Sequence, residues 1–110
     1  MAATFVLQRS TDQQYYFNLR AANNETILTS ERYTSKSAAQ NGIDAVRRNA
    51  PNDSRYARKL SSRGQHYFVL TAANGEPVGN SEEYSSAAAM ENGIAAVRRV
   101  APTASVEDSA

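Results

Sequence analysis

The stretch Ala21–Ile27, AANNETI, returns as AANGEPV at Ala72–Val78, an offset of 51 residues. Laid over each other at that offset, residues 16–51 and 67–102 match at 21 of 36 positions. The agreement runs on to NGIDAVRRNAP from Asn41 and NGIAAVRRVAP from Asn92. Repeats of this length build solenoids or propellers only when three or more copies close a core. Two copies predict instead a pseudo-twofold domain, equivalent to a dimer fused into one chain. At 110 residues and 41% hydrophobic, the chain suits one domain, residues 1–110. Either half alone would bury too little apolar surface, so the halves are expected to share a core. The repeats should cover about residues 5–51 and 56–102, leaving 103–110 as a C-terminal tail.

Each repeat reads as strands followed by a helix. Phe5–Gln8 is β-friendly and precedes the turn residues Ser10, Thr11 and Asp12. Alternation then puts Tyr15, Phe17, Leu19 and Ala21 on one face and Tyr16, Asn18 and Arg20 on the other. The second copy sets His66, Phe68, Leu70 and Ala72 against Tyr67, Val69 and Thr71. Asn74-Gly75 predicts a two-residue type I′ hairpin turn, and Asn23-Asn24 can serve the same turn. Strands are expected at Thr26–Ser30 and at Val78–Ser81. In the latter, Pro77 argues for a late start or an edge position, because proline cannot donate to a ladder.

After Tyr33 and Tyr84 the period becomes helical. Ser35, and Ser85 or Ser86, are plausible N-caps. Ala39, Gly42, Ile43, Val46 and Ala50 form one apolar stripe, repeated by Met90, Gly93, Ile94, Val97 and Ala101. Pro51 and Pro102 end the helices. A glycine on the buried stripe costs helix stability, so its presence in both copies predicts a close helix-to-sheet contact. Weak strand signals follow each helix, at Arg55–Leu60 and at Ser105–Asp108. The expected class is α+β: two tandem β-β-β-α(-β) repeats on one shared antiparallel sheet, with both helices on one face.

The doubled AAN(N/G)E…SE(R/E)Y…NGI(D/A)AVRR pattern resembles the YegP-like family of small bacterial domains of unknown function, from Phe5 to about Pro102. The resemblance implies β3-α-β units, in tandem or as dimers, around one sheet with exchanged C-terminal strands. The strands after each helix would then cross to the other unit. No catalytic residue or ligand comes with the resemblance, so none is carried over.

The residues themselves narrow the chemistry. Without cysteine there can be no disulfide, thiolate metal site or cysteine nucleophile. The single histidine, His66, falls on the core-facing side of its strand and reads as a packing residue rather than a general base. Glu82-Glu83 reads as a solvated turn, and the carboxylates show no metal-ligand spacing. The glycines at 42, 64, 75, 79 and 93 spell no phosphate-binding loop. No enzyme, metal or cofactor is expected.

Surfaces carry the remaining candidates. Between Arg47 and Arg63 lie Arg47, Arg48, Arg55, Arg58, Lys59 and Arg63 against Asp53 alone. That segment carries +5; with a net charge of +1, the rest carries −4. The Arg47-Arg48 and Arg98-Arg99 pairs sit in last helical turns, where cations complement the helix dipole; phosphate contact is the functional alternative. Tyr16, Arg20 and Tyr67 should stand on the outward face of the sheet, suited to a protein contact or to stacking single-stranded bases. The leading expectation is a non-enzymatic binding domain meeting another protein through the open face or an edge. Weak single-stranded nucleic-acid binding is the alternative, against which the small net charge stands. A cytoplasmic monomer is expected, since the repeat replaces a dimer and neither a secretory signal nor a membrane span is seen.

Overall fold

Alternating apolar side chains can be buried only if every strand turns back into the same sheet, and four tight turns achieve this. The computed structural model describes residues 3–110; Met1 and Ala2, counted in the expected domain, lie outside the described residues. The strands are β1 (Thr4–Arg9), β2 (Tyr15–Arg20), β3 (Thr26–Ser30), β4 (Tyr56–Leu60), β5 (His66–Thr71), β6 (Pro77–Asn80) and β7 (Ser105–Asp108). The helices are α1 (Lys36–Asn49) and α2 (Ala87–Val100). The fold is α+β, with one 7-stranded sheet in the order β4-β5-β6-β3-β2-β1-β7. A pseudo-twofold axis passes between β3 and β6, which join the repeats through Thr29 opposite Asn80 and Ser30 opposite Gly79.

Three details differ from expectation. The sheet is mixed, because β7 runs parallel to β1, with Thr4 opposite Ser105 and Leu7 opposite Asp108. The strands after the helices do cross over: β4 pairs with β5 and β7 with β1. The AAN turns are not type I′, since positive φ occurs at Asn24 (70°) and Gly75 (84°) but not at Asn23 or Asn74. Ala21 N–H donates to Glu25 C=O at 2.9 Å and Asn24 N–H to Ala21 C=O at 2.8 Å, a longer turn ending in one left-handed residue. The Asn23 side chain accepts from Glu25 N–H at 3.1 Å, which holds Asn23 out of the left-handed region. A register shift at Leu19/Arg20, repeated at Leu70/Thr71, absorbs the extra residue. Lastly, Pro77 opens β6 at the same position as Thr26 opens β3, and β6 is central rather than an edge. A first strand position needs no ladder donor, so proline is tolerated there.

The helices begin and end where their residues dictate. Ser35 Oγ accepts from Ala38 N–H and Ser86 Oγ from Ala89 N–H, each at 3.1 Å. Helix α1 packs on β2 of its own repeat and on β5 and β6 of the other, while α2 packs on β5 and β3. Phe5, Leu7, Phe17, Leu19, Leu28, Phe68, Leu70, Val46 and Val97 are fully buried in one cluster that spans both repeats. The helical glycines serve a side chain. A Cβ on Gly42 would collide with the Tyr33 hydroxyl, and one on Gly93 with that of Tyr84. Each tyrosine thus lies between helix and sheet; Tyr33 stacks on Phe17 with centroids 6.4 Å apart. Burial raises both phenol pKa values above the ordinary 10.0.

Candidate interaction surfaces

With both helices on one side, no described element covers the other face of the sheet. One cross-strand row on that face runs from Ala57 through Val69, Asn80, Thr29, Asn18 and Val6 to Glu107. Its first-repeat half is pre-ordered by hydrogen bonds: Gln8 Nε2 donates to Asn18 Oδ1 at 2.5 Å and Asn18 Nδ2 to Thr29 Oγ1 at 3.0 Å. A second row holds Lys59 opposite Tyr67 and Gln8 opposite Tyr16. Tyr16 and Tyr67 are half-buried; Tyr16 borders the polar strip, and Tyr67 lies two strands beyond Thr29. The Arg32 guanidinium lies 4.8 Å from the centre of the Tyr16 ring and occupies its face. Arg32 was not legible as a partner because it lies beyond β3, and only the fold brings it back over β2.

Arg20 stands on the same face beside a 190 Å³ hollow lined by Thr4, Val6, Ala21 and Glu107, among others. The basic segment does not converge there. Arg47 Nη2 donates to Ala104 C=O at 2.5 Å, and its guanidinium lies 5.4 Å from the Phe5 ring centre, tying α1 to the chain entering β7. Arg48 is exposed on α1, and Arg55 Nε donates to Asn49 Oδ1 at 3.0 Å. Arg58 points to the helix side, donating to Glu91 at 2.6 Å and to Asp53 at 2.9 Å. Arg63 donates to Glu83 Oε1 at 2.5 Å. Of these cations only Lys59 shares the open face with the tyrosines, as strand alternation dictates.

The Arg58 hydrogen bonds hold the Asp53 and Glu91 carboxyls below their ordinary pKa values. The bond from Lys36 Nζ, 3.0 Å from Asp108, does the same for Asp108. Glu91 gave no signal in the sequence, because the first repeat has Gln40 at its position.

The outer strands of the two repeats differ. β1 is covered by β7, with Ser105 N–H donating to Ala3 C=O at 3.2 Å and Ser109 N–H to Leu7 C=O at 2.8 Å. β4 is terminal in the sheet and pairs only with β5. On its helix side a 260 Å³ cleft is lined by Arg58, Lys59, Leu60, His66 and Met90. His66, at the start of β5, lines this cleft opposite Leu60, and its backbone bridges Tyr84. The buried hydroxyls of Ser30 and Ser81 are spent on the backbone. They accept from Phe17 and Phe68 N–H and donate to Glu31 and Glu82 C=O. Among the described residues, no three metal-ligating side chains lie together. No described helix is long and apolar enough to cross a membrane.

The family model for a domain of unknown function, DUF1508, matches the chain twice, over residues 10–56 and 61–108. The chain is 53% identical to a UPF0339 protein of Bordetella pertussis, covering 98% of this chain and 96% of that protein. It is 47% identical to UPF0339 protein YegP of Escherichia coli K12, covering 99% of each. The solution NMR structure of the E. coli yegP protein superposes with a TM-score of 0.93 over 99% of this chain and 94% of that one. A UPF0339 protein of Shewanella oneidensis, also solved by NMR, gives 0.91 at 44% identity, covering 98% of this chain and 92% of that one. With the repeat, the register and the fold in agreement, the chain belongs to the DUF1508 family, in the two-copy form that it shares with its YegP-like bacterial relatives.

Proposed function

We propose that the protein is a non-enzymatic binding domain that contacts another protein through the open face of its sheet. The observation that carries this reading is the composition of that uncovered face. Ala57 and Val69 supply apolar surface near Tyr67, and Tyr16 borders a hydrogen-bonded strip of Gln8, Asn18 and Thr29. Tyrosine beside ordered polar groups suits protein contacts, because it offers large area at little entropic cost. Nucleic-acid binding is less well supported. The Tyr16 ring is already taken by Arg32, and most cations of the basic segment are engaged on the helix side.

The reading is tested by affinity capture from bacterial lysate with wild type, Val69→Asp and the helix-surface control Arg48→Ala. A protein held by wild type and by the control but lost from Val69→Asp supports the open face. A partner held equally by all three overturns it. Amide shifts with short single-stranded RNA, strong at about 50 mM salt and fading at about 200 mM, would replace protein contact by nucleic-acid binding.

A further inference from the structure

The pseudo-twofold symmetry is broken at the sheet edges, and the broken place has a defined shape. The two outer hairpins share one register, Phe5 opposite Leu19 in β1–β2 and Tyr56 opposite Leu70 in β4–β5. The backbone groups of β1 that face away from β2 are those that meet β7, as the Ser109 N–H to Leu7 C=O bond shows. By the same register, Arg58, equivalent to Leu7, turns its N–H and C=O away from β5, and no described residue meets them. The Tyr56 N–H is the exception, since it donates to Asp53 C=O in the short turn before β4. The usable edge therefore runs from the Tyr56 carbonyl to Leu60. Beside it, Leu60 is 63% exposed and opens onto the cleft shared with His66 and Met90.

We propose that the β4 edge binds an extended acidic peptide of a partner protein, added parallel to β4 as β7 is added to β1. The occupant is specified by the strand that fills the symmetric place. β7 reads Ser-Val-Glu-Asp, one aliphatic residue followed by two acids, and Val106 shares the helix side with Phe5 opposite it. In the register of β7 the aliphatic side chain stands on the helix side opposite Tyr56, and the second acid stands opposite Arg58. The acids meet a local excess of cations: Arg55, Arg58, Lys59 and Arg98 against Asp53 and Glu91. Lysine and arginine on an edge discourage indiscriminate pairing, and the same charges select an acidic strand. The proposal goes beyond the open face, which lies on a different surface and is tested separately.

The test titrates the full-length isotope-labelled protein with a synthetic octapeptide of residues 103–110, TASVEDSA, up to about 1 mM, a range suited to weak strand addition. A second peptide carries Glu107→Lys and Asp108→Lys. Amide shifts at Ala57–Leu60 are expected, with the charge-swapped peptide weaker by at least about fivefold. Lys59→Ser, a change at an exposed position beside the place of the first acid, should reduce the response while leaving the free spectrum folded. No shifts, or equal shifts with both peptides, would overturn the proposal. Shifts at Thr4–Leu7 would mean tail exchange on β1, and concentration-dependent shifts without peptide would mean that a second copy takes the edge; either outcome overturns it. Shifts confined to Tyr16, Asn18 and Thr29 would overturn the edge while favouring the open face.

Discussion

The two repeats match closely in sequence, yet their equivalent side chains do different work. Arg47 and Arg98 occupy the same helical position, and Ala104 and Asp53 the same place after the helix. In the first repeat Arg47 grips the Ala104 carbonyl and covers Phe5. In the second, Arg98 only approaches the exposed Asp53 carboxylate, at 3.6 Å. Phe5 is a pure core ring, whereas its counterpart Tyr56 donates to Ala50 C=O at 2.8 Å and closes the end of α1. β1 is a covered strand and β4 an open one. A duplicated sequence thus preserves the core while its ends diverge, because the strand after each helix meets a different neighbour, β4 against β5 and β7 against β1.

The largest test asks whether the halves share one core. Phe17→Ala and Phe68→Ala each delete a fully buried ring and should cost about 3–5 kcal/mol. Both variants should still unfold in one transition by circular dichroism and by calorimetry. Two separated transitions would show that the repeats fold independently and break the comparison.

Next comes the arginine pair. Arg47→Ala removes a charge-assisted bond to a carbonyl together with a packed ring contact, and about 1.5–3 kcal/mol is expected in urea unfolding. Arg98→Ala removes an exposed ion pair and should hardly move the midpoint. Equal losses would mean that the difference between the two ends carries no energy.

The smallest effect concerns pH. Asp53 and Glu91 are held below their ordinary values of 3.8 and 4.5 by hydrogen bonds from Arg58. A carboxyl with a depressed folded pKa contributes stability above its unfolded pKa and loses it as pH falls through the folded value. The loss should therefore set in below 4.5 and be partly absent in Glu91→Gln, read as the acid limb of thermal stability. Asp108, paired with Lys36, keeps a similar dependence in the other half, so Glu91→Gln should flatten the limb without abolishing it. Because the second-repeat groups are exposed, salt should shrink the difference.

Much of this architecture was legible, and the gaps have physical causes. The helical stripes and the Ser35 cap rest on local geometry that any chain must obey, and they stand where the periodicity puts them. Gly42 and Gly93 were readable as points of close approach, but not as seats for Tyr33 and Tyr84, which arrive from another element. The type I′ turn failed because the Asn23 and Asn74 side chains bind their own backbone and stay out of the left-handed region. Of the candidate surface, Tyr16, Tyr67 and Arg20 were assigned a face by alternation alone. The basic residues were not, because helix, turn and strand send consecutive arginines in different directions.

By itself the sequence determined what repeats locally: the period of each element, its caps, and two halves each expected to bury too little apolar surface alone. The tertiary structure decided what depends on distant partners. It set β7 parallel against β1, brought Arg32 over Tyr16 and Glu91 to Arg58, and left β4 and β7 as the two edges of the sheet. Periodicity is a property of neighbours along the chain. Pairing across a sheet is a competition among all strands at once, and only folding the whole chain resolves it.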